Sequence, residues 1–346
     1  MKILIAFEWW VVQAFHLACG LAELAKENKD LEVDIVGKQW IRPDFHPLTK
    51  TEEKCIKEPN DALCKLSSGY YDYAVFAEGS MLLYASQHLV NSNKTKLVLL
   101  DTTDGAFIFK TWLEHCSIYI KYQYPKGDLC FVSSSVLTEP VLDTSKIYPA
   151  PYPAMHRDLH AEVEGIPVDR DIDVYFSGWA SNKDRIEAVS ALNKSTKFSF
   201  YGGLYKRPDL PINCNIPDEI NIQQGFSREK YHRLLKRSKV VINLRGNGWL
   251  CFRLTEAFRL GSFCVSQPLE NTMVPEPVDG EHLVYCKADF SNLEELCYKY
   301  VQDKKTREKI GKNAREFYLQ HWSPLAIAKY LVGLLNGYKR NSKNCS

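Results

Sequence analysis

The stretch Val240-Val-Ile-Asn-Leu-Arg245-Gly-Asn-Gly248-Trp-Leu-Cys-Phe-Arg253-Leu-Thr-Glu256-Ala-Phe-Arg-Leu-Gly261-Ser-Phe-Cys-Val-Ser-Gln-Pro268 decides the fold. An apolar run ends in Arg-Gly-Asn-Gly, and residues at helical spacing follow at once. The pattern predicts a strand over Lys239–Leu244, a helix over Leu250–Leu260 closed by Gly261, and a further strand over Ser262–Ser266. The glycines let the backbone approach a ligand, and the helix N-terminus presents free N–H groups to an anion. Arg245 and Arg253 suit a diphosphate, which guanidinium groups bind bidentately. Arg253 and Glu256 are three residues apart and share a helix face. A carboxylate at that place can accept hydrogen bonds from both ribose hydroxyls of a nucleotide. Each feature alone has a plain alternative, an exposed ion pair for Arg253 and Glu256 and a simple turn for Gly246 and Gly248. Their combination on one strand–loop–helix favours a nucleotide-diphosphate site, with Gly178, Asn247 and Gly248 completing the candidate set.

Working outward, the same rhythm recurs. Upstream, Asp173–Phe176 is a predicted strand ending in Ser177-Gly178-Trp179. Asn182–Leu192 is a helix, Lys197–Tyr201 a strand running into Gly202-Gly203, and Ile220–Gln223 a short strand. Ser227 opens a helix that reaches Arg237. In the first half, Ile3–Phe7, Leu31–Val36, Tyr73–Ala77, Lys96–Leu100 and Leu129–Val132 read as strands, with helices over Val12–Lys26 and from Ser80 to about Val90. Strand, helix, strand within three dozen residues is the mark of a right-handed parallel unit. Residues 38–68 are poorly patterned and carry Pro43, Pro47 and Pro59, so they are expected to leave the core. A Pro-rich linker is expected over 151–170, and three helices close the chain, near 291–303, 305–320 and 324–337. The fold class is therefore α/β, with two Rossmann-like domains facing across a cleft and ligands beyond the carboxyl ends of the strands. The domains are expected at 1–150, joined by a returning helix at 322–346, and at 171–321.

Composition agrees with this architecture. The 346 residues are 45% hydrophobic and 25% charged, ordinary values for a globular chain. Forty-four Lys and Arg against 42 Asp and Glu leave a net charge of +2, too small an excess for a surface that neutralises many phosphates. No nucleic-acid partner is expected. The eleven cysteines form no Cys-x-x-Cys and no zinc-like spacing with histidine, and their number is odd. They read as buried reduced thiols of a reducing compartment. The apolar run after Lys2 is interrupted by Glu8, Gln13, His16 and Glu23, too soon for a signal peptide or membrane span, so a cytoplasmic location is expected.

The segment from Gly225-Phe-Ser-Arg-Glu-Lys-Tyr231 through Pro268 resembles the C-terminal domain of GT-B glycosyltransferases. It is most similar to the spore-coat-type group and more distantly to exostosin-type enzymes. Arg253, Glu256-Ala257, Gly261 and Pro268 match that pattern. The resemblance implies a nucleoside-diphosphate sugar as donor substrate, no further cofactor, and a glycan or glycoconjugate hydroxyl as acceptor. It also implies closure of the two domains around the reactants and a role in glycan biosynthesis. Retaining enzymes of the large GT-B family carry a Glu eight positions before the one matching Glu256. Gly248 occupies that place here, which favours inversion.

Inversion needs a general base for the acceptor hydroxyl and charge stabilisation for the departing diphosphate. Arg245, Arg253 and the helix N-terminus meet the second need without a metal. The spacing Asp171-Ile-Asp173 imitates a metal-binding pair but falls at a strand start, so no metal ligand is expected. The base is expected at a strand end of the first domain, at Asp101 or Asp104, with Glu78 behind them and Glu8 and His16 as further options. Each has a structural alternative as a turn former or packed side chain. Trp9 and Trp10, and Lys121, Tyr122 and Tyr124, are candidates to line the acceptor cleft or to fill the core. Two other functions fit the same features, a GT-B enzyme that glucosylates DNA bases and a nucleotide-sugar-binding protein without catalysis. A nicotinamide dehydrogenase is disfavoured because no Gly-x-Gly-x-x-Gly follows the first strand.

Overall fold

The computed structural model describes residues 1–7, 11–37, 50–77, 94–105, 107–126, 131–133, 138–140, 144–150, 169–207 and 215–343. The chain divides into two compact units. One holds Met1–Met155, Thr272–Val274 and His321–Ser346, the other His156–Asn271 and Pro275–Gln320.

The first unit contains β1 (Lys2–Ala6), α1 (Val12–Glu27), β2 (Glu32–Val36), α2 (Lys50–Cys55), α3 (Pro59–Ser67), β3 (Tyr73–Ala77) and β4 (Lys96–Asp101). It continues with β5 (Phe107–Phe109), α4 (Lys110–His115), β6 (Ile118–Lys121), β7 (Phe131–Ser133), β8 (Thr138–Pro140) and β9 (Ile147–Pro149). Six strands form one parallel sheet in the order β2-β1-β3-β4-β6-β9, and β5, β7 and β8 make a small separate one. The runs Ile-Leu-Ile-Ala of β1 and Tyr-Ala-Val-Phe-Ala of β3 are buried, as a parallel sheet covered on both faces requires.

Two expectations change here. Within 38–68, residues 50–68 are not an excursion. Pro59 starts α3 instead of breaking it, because a helix's first turn needs no proline N–H, and Ala62 and Leu66 join the core beside Leu4 and Phe76. The strand expected over Leu129–Val132 is β7, at Phe131–Ser133, in the small sheet. The helix expected after Ser80 and the Pro-rich stretch 151–168 lie outside the described residues.

The C-terminal helix Pro324–Lys343 packs along α1. A Cβ at Gly20 of α1 would lie 2.0 Å from the carbonyl oxygen of Pro324, so only glycine permits this approach. Tyr73 donates to the carbonyl of Leu335 at 2.7 Å and Tyr330 to that of Pro149 at 2.9 Å, fixing the helix on the sheet.

The second unit contains β10 (Ile172–Trp179), α5 (Lys183–Lys194), β11 (Phe200–Tyr205), α6 (Arg228–Arg237), β12 (Ser238–Asn243), α7 (Phe252–Arg259), β13 (Cys264–Ser266), β14 (Val284–Tyr285), α8 (Leu293–Gln302) and α9 (Lys304–Phe317). Its parallel sheet runs β11-β10-β12-β13-β14. The side chains of Asn182, Ser227 and Asp303 cap α5, α6 and α9. Gly202 and Gly203 stand inside β11, not after it. Their φ values of +117° and +149° are compatible with glycine, and a Cβ on Gly202 would meet the carbonyl oxygen of Phe176 at 1.9 Å. In place of the strand expected over Ile220–Gln223, a turn of 3-10 helix covers Asp218–Ile220 and Asn221 makes one bridge to Leu204.

Both sheets repeat one order, second strand, first, third, fourth. The direction of winding reverses between β1 and β3 in the first unit and between β10 and β12 in the second. Beyond the carboxyl ends of strands at such a reversal, the connecting segments leave in opposite directions and open a crevice.

Candidate functional site

In the second unit that crevice is made by Ser177-Gly178-Trp179 at the end of β10 and by Leu244–Cys251 between β12 and α7. Arg253, in the first turn of α7, is 7% exposed. Its Nη2 donates to the carbonyl of Ser177 at 2.6 Å, and its guanidinium lies 4.1 Å from the centre of the Phe176 ring. Nε and Nη1 have no hydrogen-bond partner. Gly178 makes the space, since a Cβ there would lie 2.7 Å from Nη2. Two unsatisfied donors on a buried cation are costly unless something anionic takes them.

Glu256, one helical turn further along α7, is 5% exposed. Its Oε1 is 3.3 Å from Nε2 of His232, which is fully buried on α6. Tyr231 also hydrogen-bonds Glu256, and its phenol titrates well above the usual range because of burial first and the nearby carboxylate second. The charge of Glu256 also reaches Arg228 and Arg253. Arg253 and Glu256 are therefore not an exposed surface pair.

The Arg-Gly-Asn-Gly loop is held by backbone contacts. The N–H of Gly246 donates to the carbonyl of Gly248 at 2.9 Å, closing a tight turn with Asn247 exposed at its tip and Gly248 buried. Arg245 is partly exposed. It donates from Nε to Asp184 at 2.8 Å and stacks 4.7 Å from the Trp249 ring centre. In this state Arg245 is engaged by Asp184, while Arg253 keeps open donors.

Two residues that organise the site were not singled out from the sequence. Arg185 of α5 is 5% exposed and donates to the carbonyls of Arg245 (2.6 Å), Trp179 (2.7 Å) and Leu244 (3.1 Å). Burial lowers its pKa to about 10, so it stays charged at neutral pH. Asn182, besides capping α5, donates to the carbonyl of Gly246 at 2.9 Å. The first turn of α5 thus ties together the ends of β10 and β12. The capping pattern was visible in Asn182-Lys-Asp-Arg185, but the carbonyl partners lie about 60 residues away along the chain.

Asp171 and Asp173 do not converge on a metal. Asp171 pairs with Arg237, and Asp173 with Lys239 and Ser199. Among the described residues, no group of three or more His, Cys, Asp or Glu is placed to hold a metal ion.

In the first unit the geometry counts against Asp101, one of the two leading candidates for the base. Asp101 is fully buried and saturated. Oδ1 accepts from the backbone N–H of Thr103 at 3.0 Å and from its hydroxyl at 2.6 Å. Oδ2 accepts from Tyr119 at 2.5 Å and from Lys121, itself fully buried, at 2.9 Å. Four donors occupy both oxygens, so this carboxylate has no lone pair to offer an acceptor hydroxyl. Lys121, Tyr122 and Tyr124, weighed as cleft-lining, are all buried, and Lys121 is the counterion of Asp101. His16 is buried in α1 against Phe15. Asp104 is exposed just beyond β4. Glu78, Glu8, Trp9 and Trp10 lie outside the described residues.

Comparison with known proteins agrees with the architecture. Residues 183–333 match the family described as glycosyl transferase-like. Comparison with curated protein sequences found no match. Among solved structures, a glycosyltransferase from Rickettsia africae aligns over 98% of this chain and 99% of its own, at 10% identity and a TM-score of 0.60. Anabaena HepE in complex with UDP-glucose aligns over 97% of this chain and 100% of its own, at 11% identity and a TM-score of 0.57. An alpha-glucosyltransferase in complex with UDP and a 13-mer DNA aligns over 97% and 99%, at 12% identity and a TM-score of 0.57. At these identities the likeness is one of fold. No helix of the described residues is long and apolar enough to cross a membrane. Taken with the two parallel sheets, these matches give the chain a GT-B fold, with residues 183–333 similar to the glycosyl transferase-like family.

Proposed function

We propose that the protein transfers a glycosyl group from a nucleoside-diphosphate sugar, bound by the second unit, to a hydroxyl of a glycan or glycoconjugate held by the first. The single observation that carries this reading is Arg253, a buried guanidinium with Nε and Nη1 unpartnered at the strand-order reversal of a GT-B sheet. In this reading Arg253 takes the diphosphate with the N–H groups of the Gly248–Phe252 turn. Glu256, oriented by His232 and Tyr231, accepts from the ribose hydroxyls, and Gly178 keeps room for Arg253. Arg245 shares its guanidinium between Asp184 and the outer phosphate. Developing negative charge on the leaving diphosphate meets preorganised donors, which lowers the barrier without reorganisation.

Gly248 stands where a retaining enzyme of the large family has Glu, so the transfer is written as inverting and metal-independent, in one displacement. The base is then Asp104 or Glu78, and Asp101 is structural. UDP is the first probe to use, because two proteins of the same fold are known in complex with it.

Isothermal calorimetry with UDP, GDP and ADP tests the site, and nucleotide release from a donor panel tests turnover. Arg253→Ala and Glu256→Ala are each expected to weaken nucleotide binding by at least about tenfold, or about 1.4 kcal/mol. Unchanged affinity in both variants removes the donor site from α7. Binding without turnover across glycan acceptors supports the non-catalytic alternative. Turnover confined to hydroxymethylated duplex DNA, falling steeply with salt, supports the DNA-modifying one.

A further inference from the structure

Helix α6 has two working faces. The inner one sends Tyr231 and His232 to Glu256. The outer one carries Lys230, Arg233 and Arg237, all exposed, at spacings of three and four residues that set them in one row. α6 packs on β10 and β12, and β11 is the edge strand beyond β10. Between α6 and Tyr201 of β11 lies an open cleft of about 380 Å³, lined by that row of cations. Sites for small molecules occupy about 300–1,000 Å³. At the far end of the cleft Arg237 pairs with Asp171, just before β10, so the cleft runs toward the amino ends of the strands. The crevice that holds Arg253 lies at their carboxyl ends.

Tyr201 is 42% exposed, unusual for so large a ring. It is held in an offset stack, 6.1 Å from the centre of Phe226 and 6.4 Å from that of Tyr175, with ring planes 19° and 28° apart. The ring is therefore a fixed floor with part of its surface open. Lys230 places Nζ 4.6 Å from the centre of the Phe226 ring, and among the described residues no carboxylate pairs with it. Arg233 pairs with Glu229 at 3.0 Å and Arg237 with Asp171 at 2.8 Å, and all four of these side chains are about half exposed. Ion pairs so exposed are weak, and a guanidinium exchanges such a partner for a ligand carboxylate that it can bind bidentately.

We propose that this cleft binds a short acidic saccharide. Tyr201 packs against the apolar C–H face of a pyranose ring, and Lys230, Arg233 and Arg237 take carboxylates along the chain. A single-stranded nucleic acid is the poorer occupant, because it stacks successive bases on successive rings, and Tyr201 is the one ring that lines the cleft. An acidic peptide would use the cations and leave the ring without a role. The site is separate from the donor crevice and does not rest on the donor reading.

Saturation-transfer NMR titrations of the full chain test this with tetragalacturonate, maltotetraose, tetraglutamate and a short oligo-dT. Tetragalacturonate is expected to bind most tightly of the four. Lys230→Ala/Arg233→Ala is expected to weaken it by at least about fivefold, the effect of one exposed ion pair, and Tyr201→Ala by a similar factor. Tyr201→Phe should restore binding, and an unchanged melting temperature in the double variant shows that the fold is intact. Absence of tetragalacturonate binding overturns the proposal, as does unchanged binding in the variants. Equal binding of tetraglutamate shows attraction by charge alone, equal binding of maltotetraose shows that the cations do nothing, and tighter oligo-dT binding shows a nucleic-acid surface; each overturns it too. Displacement of tetragalacturonate by UDP, with loss in Arg253→Ala, puts the saccharide in the donor crevice, which sinks this inference and spares the donor reading. Binding that depends on Lys230 and Arg233 in a chain that fails to bind nucleotides does the reverse.

Discussion

Asp101 and Lys121 offer the sharpest check on how the first unit works. Both side chains are fully buried, their charges are 2.9 Å apart, and Tyr119 and Thr103 complete the carboxylate's shell. Removing one member of a buried pair strands the other charge in low dielectric, which costs about 3–5 kcal/mol. At about 2–4 °C per kcal/mol for a unit of this size, Asp101→Asn or Lys121→Met should lower the melting temperature of the first unit by about 6–20 °C. The double variant Asp101→Asn/Lys121→Met removes both charges, so it should lose less than the sum of the singles, with a coupling of about 1–3 kcal/mol. Differential scanning calorimetry on the four proteins measures this directly, and nucleotide release measured well below the transition gives the chemistry separately. If Asp101→Asn melts within about 2 °C of the parent yet loses turnover by three orders of magnitude or more, the side chain is a base and its assignment as structural is wrong. An additive double variant would refute the ion pair as the source of the effect.

Four further outcomes follow from the same structure. Gly178→Ala puts a methyl group where the Arg253 guanidinium lies, so nucleotide affinity should fall by about tenfold or more while the second unit still melts cooperatively; calorimetric titration decides it. Gly20→Ala drives a Cβ against the Pro324 carbonyl and should destabilise the first unit by about 1–3 kcal/mol in urea, without change in nucleotide affinity. Arg185→Met withdraws donors from three carbonyls at the ends of β10 and β12; it should weaken UDP binding more than Arg185→Lys does, as read by calorimetry. For Asp173, burial alone would raise the carboxyl pKa, but hydrogen bonds from Lys239 and Ser199 outweigh it and hold the group below the usual range. The folded pKa is the lower one, so this stabilisation is complete above the unfolded value of about 3.9 and is lost as pH falls through the folded one. Acid unfolding of Asp173→Asn should therefore be shallower than that of the parent below about pH 4, and identical slopes would contradict the assignment.

Part of the site was legible because its signals are local. Arg253 and Glu256 are three apart on a helix that starts just after a glycine turn, and α7 brings both to the crevice. Ser227 and Asn182 announced helix starts through chemistry confined to a single turn. The surroundings of Asp101 were illegible for the opposite reason. A carboxylate at a strand end before a turn looks like a base when its neighbours are unknown, and Tyr119 and Lys121 reach it only because β6 lies beside β4. Arg185 went unnoticed for the same cause, since two of its three carbonyl partners, Leu244 and Arg245, follow a strand some 60 residues away.

The sequence by itself determined the class of fold, because hydrophobic periodicity and glycine turns are short-range and repeat through both halves. It also placed the candidate diphosphate-binding loop in the chain. The tertiary structure alone decided which polar groups are already satisfied. It left two donors of Arg253 open, closed every lone pair of Asp101 and engaged Arg245 with Asp184. Satisfaction of a buried charge depends on partners brought together by strand pairing across long stretches of chain, and no local pattern records them.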